Sequence, residues 1–263
     1  MRTNLTRNEM LLGLACAVLL IAALAGPHIA QPAHIHDYAD QRALWGIPCA
    51  LDVLSNLPFA LMGALGLFQL ARLPREAVDG AQRFCAGLFF AGLLVTTLGS
   101  SWYHLRADDP GLALDRIAMS VAFAGLLGLV AATRISGRSG IALGSALLVL
   151  APLSVLAWLF TGNVFAWAVV QFGGLLLVLL LPVTVSPLPG ALDVRWILVV
   201  AAYALAKLFE VADHVVHAAT GELFSGHTAK HVVAALAAWP VLSAVAQRAA
   251  RQNGRHTSAA HVA

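Results

Sequence analysis

The long stretches of this chain that carry no Asp, Glu, Lys or Arg include 53–71, 84–105, 117–133 and 141–192. A helix crossing the ~30 Å apolar layer of a bilayer needs roughly 20 such residues. Inside lipid every backbone N–H and C=O must be satisfied internally, which leaves helices as the form such runs can take. Only 11% of the 263 residues are charged and 60% are hydrophobic, against about 25% charged in a soluble domain. The chain therefore reads as all-α, a polytopic transmembrane helical bundle.

The spans are expected at 11–26, 53–72, 83–104, 113–133, 140–159, 163–182, 193–214 and 226–247, separated by breakers such as Pro74, Pro110, Gly162-Asn163 and Ser186-Pro187-Leu188-Pro189-Gly190. This divides the chain into an N-terminal transmembrane helix or signal anchor (1–26), an external polar loop or surface helix (27–52), a seven-helix core (53–247) and a disordered cytoplasmic tail (248–263). Ala23-Leu24-Ala25 resembles a cleavage site, but a retained first helix is the favoured reading. Cys16, Cys49 and Cys85 are odd in number and scattered, so they form no disulfide framework or thiolate site.

Eleven arginines fall on the side of the N-terminus and three, Arg42, Arg106 and Arg116, on the other. By the positive-inside rule both termini are cytoplasmic. The integral membrane protein is expected in a bacterial inner membrane, and its formal charge of +3 calls for no nucleic-acid partner. This topology brings the end of the third span, the start of the fourth and the start of the eighth to one depth near the outer face. The ionisable residues there are His104, Asp115, His227 and His231.

His227 and His231 are four apart and share a helix face. With His104 they make a three-histidine zinc site with its fourth position open, the form taken by catalytic zinc. Such zinc activates water near neutral pH. Asp115 then serves as general base, and Ser100, one turn before His104, as a donor to the oxyanion. Taken singly, each residue has a plainer reading: a helix-helix hydrogen bond for His104, a helix start for Asp115-Arg116, a packing residue for Ser100. A second cluster, Lys207, Glu210, Asp213, His214 and His217, lies near the outer end of the seventh span. It reads as a shell orienting the zinc histidines, as a rival metal site at His214 and His217, or as internal neutralisation of Lys207 by Glu210.

The pattern Ser100…His104, Asp115, His227…His231 resembles the alkaline ceramidase family, within a wider superfamily of seven-span metal hydrolases that includes the adiponectin-type receptors. Leu54-Ser55-Asn56-Leu57 is similar to the family's Ser-Asn element on its first core helix, and the first span would be an addition to that core. The resemblance implies zinc on three histidines plus water and hydrolysis of the ceramide amide. It also implies a calcium site before the core: Asp37-Tyr38-Ala39-Asp40 looks like that pattern, with Asp37 and Asp40 as ligands. Arg42 and Cys49, however, stand where further oxygens would be required.

The function expected from the sequence is a zinc-dependent intramembrane hydrolase. It would cleave ceramide or a related N-acyl lipid drawn from the bilayer; no arginine clamp for an anionic headgroup is evident, Arg106 and Arg116 reading either as candidates for one or as simply interfacial residues. The alternatives are a receptor-like protein with a structural zinc site and a transporter using the Lys207–His217 cluster.

Overall fold

The computed structural model describes residues 4–260, which are all-α. Helices α1 (Arg7–Ala25), α2 (Ala50–Arg72), α3 (Gly80–Leu105), α4 (Asp109–Arg134), α5 (Gly137–Thr161) and α6 (Phe165–Thr184) are each long and apolar enough to cross a membrane. The expected span at 193–214 is divided. Helix α7 (Trp196–Val211) breaks at Ala212 and resumes as α8 (Asp213–Ala219). Helix α9 (Gly226–Leu236) and the first part of α10 (Trp239–Ala260) together make a seventh stretch of spanning length.

The helix starts follow local capping chemistry. Thr6 and Glu9 form a capping box on α1, Asp79 caps α3, Asp108 caps α4 through Gly111 N at 2.8 Å, and Ser225 caps α9 through Thr228 N at 2.9 Å. The central helix is α4, packed along α3 on one side and α5 on the other. A Cβ at Gly92 would lie 2.3 Å from Ala122 N, so only glycine allows α3 and α4 to approach this closely. Large apolar side chains such as Leu98, Phe160 and Val183 face outward and are mostly exposed, the belt expected of a lipid-facing surface.

At one end of the bundle, arginines bind the carbonyls that helix ends and loops leave free. Arg83 donates to Leu70 O, Leu73 O and Pro74 O, Arg134 to Val185 O, and Arg248 to Gly190 O and Ala191 O. Arg138 pairs with the buried Glu9, which also accepts from Ser136 Oγ at 2.6 Å, tying α1 to α5. The opposite end carries His104, Asp115 and the start of α9.

Two further expectations change. The polar segment ends earlier, because α2 begins at Ala50 and carries Asp52 inside it; 27–49 forms no helix. The tail is not disordered from 248: α10 continues to Ala260, with 261–263 outside the described residues. Ala249, Ala250, Arg251 and Gln252 are good helix formers extending a helix already nucleated. Within α6, residues Val169–Gly173 adopt a π turn, which re-aims Gln171 toward an internal cavity.

Candidate metal centre

His104, at the last turn of α3, meets His227 and His231, on the first turns of α9. One ligand atom from each lies within 4.8 Å of the others. All three are buried, with 2%, 6% and 4% of their surface exposed. His227 Nε2 and His104 Nε2 are 3.2 Å apart. Two buried imidazole nitrogens that close call for a shared proton or cation between them. Gly226 permits the arrangement: a Cβ there would lie 2.3 Å from Phe209 O and 2.7 Å from Asp213 Cα, so the start of α9 sits directly on the α7–α8 break.

The ring of His231 is oriented from α2. Ser55 Oγ donates its only proton to Asp52 O at 3.0 Å and lies 2.8 Å from His231 Nδ1. The serine oxygen therefore accepts from Nδ1–H, which leaves the Nε2 lone pair of His231 free for a metal. Asp52, buried in the same helix, accepts from Thr228 Oγ1 at 2.7 Å and Ser225 Oγ at 3.3 Å, fixing α9 against α2. The residues present fit a divalent cation with a neutral three-imidazole donor set.

Lys230 complicates that fit. Its Nζ donates to His227 Nε2 at 2.8 Å and lies 3.4 Å from Glu210 Oε1. An ammonium and a metal ion compete for the same lone pair. Two unit charges 4 Å apart interact by about 4 kcal/mol at an effective dielectric of about 20, and a fraction of that is a factor of ten in affinity. Lys230→Met is expected to bind zinc about tenfold more tightly than wild type in a competition titration with a chelator; weaker binding would show that the lysine supports the metal.

The loop 27–49 is a strap across this end of the bundle. Its first residues are stapled to the α5–α6 turn, through Ile29 N to Asn163 Oδ1 at 3.0 Å and Val164 N to Ile29 O at 2.8 Å. Further along, His36 bridges Tyr103 OH at 2.8 Å and Asp109 at 3.0 Å. Tyr38, 6% exposed, then lies edge-on to His104 and His227, with ring centroids 4.9 and 4.4 Å away. Burial holds its phenol well above the ordinary range, so it stays a neutral cover over the triad.

Beyond Tyr38, the strap is pinned by two carboxylates. Asp213 accepts from Ala39 N at 3.0 Å and from His227 N at 2.7 Å, joining strap, α8 and α9. Asp40 is held by Arg42, Nε at 2.8 Å and Nη2 at 2.6 Å, and the same Nη2 reaches Leu223 O at 3.1 Å. The guanidinium thus takes both oxygens of Asp40, one of the two suggested calcium ligands, while Asp37 sits at the surface beside His214. Hydrogen bonds from Arg42 lower the Asp40 pKa. A depressed carboxylate contributes stability above its unfolded pKa, near 3.9, that is lost as pH falls through the folded value. Amide exchange in 36–44 is accordingly expected to stay slow at pH 5 and to accelerate only below about pH 4; acceleration by pH 5 would contradict this anchor.

The second cluster resolves residue by residue. Glu210 touches no histidine of the triad; it pairs with Lys207 and, through Lys230, acts on His227 at one remove. Asp213 holds the backbone of His227 rather than its ring. His214 is largely exposed and lies 3.3 Å from Asp37 O, and His217 Nε2 has no partner among the described residues. His214 and His217 form no rival metal cluster among these residues. Of the residues in contact with the triad, Ser55 was readable only through the family's Ser-Asn element, Tyr38 only as part of the suggested calcium pattern, and Lys230 gave no signal.

Below the triad a cavity of about 600 Å³ runs into the bundle, within the usual size of a ligand site. Its head is lined by His227, His231, Ser100, Asp115, Arg116 and Lys230, and its depth by apolar side chains including Phe59, Leu93, Phe123, Leu127 and Val178. Ser100 is 2% exposed and Asp115 9%, and Asp115 Oδ1 has no partner among the described residues. Arg106 instead pairs with Asp108 at 2.7 Å, largely in the open. No family model matches this chain, and no curated protein does.

Proposed function

We propose that the protein is a zinc-dependent intramembrane hydrolase that cleaves the amide of ceramide or a related N-acyl lipid, yielding a fatty acid and an amine. The observation that carries this reading is the meeting of three buried histidines with Asp115, one carboxylate oxygen of which has no partner among the described residues, at the polar head of an apolar cavity. A structural metal would need neither the cavity nor the aspartate.

His104, His227 and His231 would hold the zinc, with Ser55 fixing the tautomer of His231. Zinc so held supplies Lewis acidity and lowers the pKa of water toward 7. Asp115, with one oxygen free, takes the proton of the attacking water and returns it to the leaving nitrogen. Ser100, on the neighbouring helix, donates to the carbonyl oxygen as negative charge develops there. The apolar depth takes the acyl chain, and the strap with Tyr38 keeps bulk water from the reacting carbonyl. In atoms, an N-acyl amide and water give a carboxylate and an ammonium.

The arginines gathered at the opposite end support a cytoplasmic location for that end and, with it, a site near the outer face. A proton-relay transporter is less well supported, since Lys207 is neutralised by Glu210 and His214 turns to the surface. The test is turnover of a fluorescent ceramide by purified wild type and Asp115→Asn, with zinc content measured on both.

A further inference from the structure

Arg116 lies seven residues into α4, about 10 Å along the helix from its start, and is 8% exposed. A guanidinium at such a place is expensive unless its charge is met. Only part of it is. Nη2 donates to Gln31 Oε1 on the strap at 2.7 Å, and the guanidinium carbon stacks 4.3 Å from the Trp158 ring centroid. Nη1 is buried with no partner, and Arg116 forms no ion pair among the described residues. Asp115 makes no ion pair with it, because successive residues on a helix point to different faces, and so acts on it only from a distance.

Three cations line the cavity: Arg116, Lys207 and Lys230. Both lysines are engaged by Glu210. Of the cavity's carboxylates, Asp213 is taken by two backbone N–H groups and Asp37 is at the surface. Arg116 is therefore the one of these three cations with no carboxylate in contact, one residue from the aspartate at the head of the cavity. A planar fork with one nitrogen unpartnered, backed by the Trp158 and Trp167 rings, matches a carboxylate in shape and hydrogen bonding.

We infer that the site takes an anionic N-acyl amphiphile, in which a carboxylate on the amine portion docks on Arg116, the amide lies beside the histidines and the chain fills the apolar depth. This rests on the hydrolase reading for the fate of the amide but not for the binding. Ceramide, whose amine portion is neutral, would leave Arg116 unpaired, and N-acyl amino acids would satisfy it.

The test is equilibrium dialysis, in nonionic detergent, of N-palmitoylglycine, N-palmitoylethanolamine and palmitate against wild type, Arg116→Gln and Arg116→Lys. The wild type is expected to bind the glycine conjugate about tenfold or more tightly than the ethanolamide, as a charge-assisted hydrogen bond pair would give. Arg116→Gln should erase that preference and leave the ethanolamide unchanged. Arg116→Lys, which keeps the charge and loses the fork, should retain part of it and serves alone if the glutamine variant does not fold. Equal binding of the two amides by wild type, or equal weakening of both in the variants, overturns the proposal. Palmitate binding as tightly as the conjugate through Arg116 also overturns it, since the arginine would then hold the released acid. Turnover on the same samples separates the two claims: anion preference without hydrolysis keeps this one and defeats the hydrolase.

Discussion

Asp115→Asn is expected to lower kcat for lipid amide hydrolysis by about 10²- to 10⁴-fold, the range for a lost general acid–base, with the metal retained. Asparagine keeps the shape of the side chain and its place in α4, so packing against Ser100 and Gly99 is preserved. It cannot take a proton from water. Zinc content and KM should change little, because Asp115 is not among the grouped ligand atoms and its contribution falls in the transition state. Activity within a few-fold of wild type would remove Asp115 from the mechanism and leave the histidines without a base. Loss of zinc in the same variant would make the aspartate a ligand instead.

His227→Ala is expected to lower zinc affinity by more than about 100-fold. Deleting an outer partner of a metal-bound histidine already costs 10- to 100-fold, and deleting the ligand costs more. Ser55→Ala, which removes the acceptor for His231 Nδ1–H, should fall in the smaller range. The order of the two effects is diagnostic: if Ser55→Ala were as severe as His227→Ala, the serine would be holding α9 in place rather than tuning a ligand. His104→Ala should match His227→Ala although it lies on a helix 123 residues away in sequence, which a local distortion of α9 would not explain.

Much of the bundle was legible because its physics is one-dimensional. Charge-free runs specify spanning helices, and a four-residue spacing puts His227 and His231 on one face whatever surrounds them. Sidedness then brought His104 and Asp115 to the same end. The strap was not legible. Residues 27–49 have no periodicity, and the position of Tyr38 depends on distant staples at Asn163, Asp109 and Asp213. The break at Ala212 carries no proline or glycine; it forms where Asp213 serves two backbone donors from other segments. Lys230 lacked a role because in the sequence it is one residue inside an apolar span, and its contacts with His227 and Glu210 emerge only from packing. Helix α10 ran on past Gln247 because polarity marks solvent exposure, not loss of helix.

Metal analysis with X-ray absorption at the zinc edge reads out whether three imidazoles hold a zinc ion. Purified wild type is expected to carry one zinc per chain, with three imidazole nitrogens at about 2.0–2.1 Å and an oxygen as fourth ligand, and His227→Ala/His231→Ala to carry none. A folded wild-type protein that hydrolyses lipid amides without metal, or a double variant that keeps its zinc, would contradict a three-imidazole zinc site.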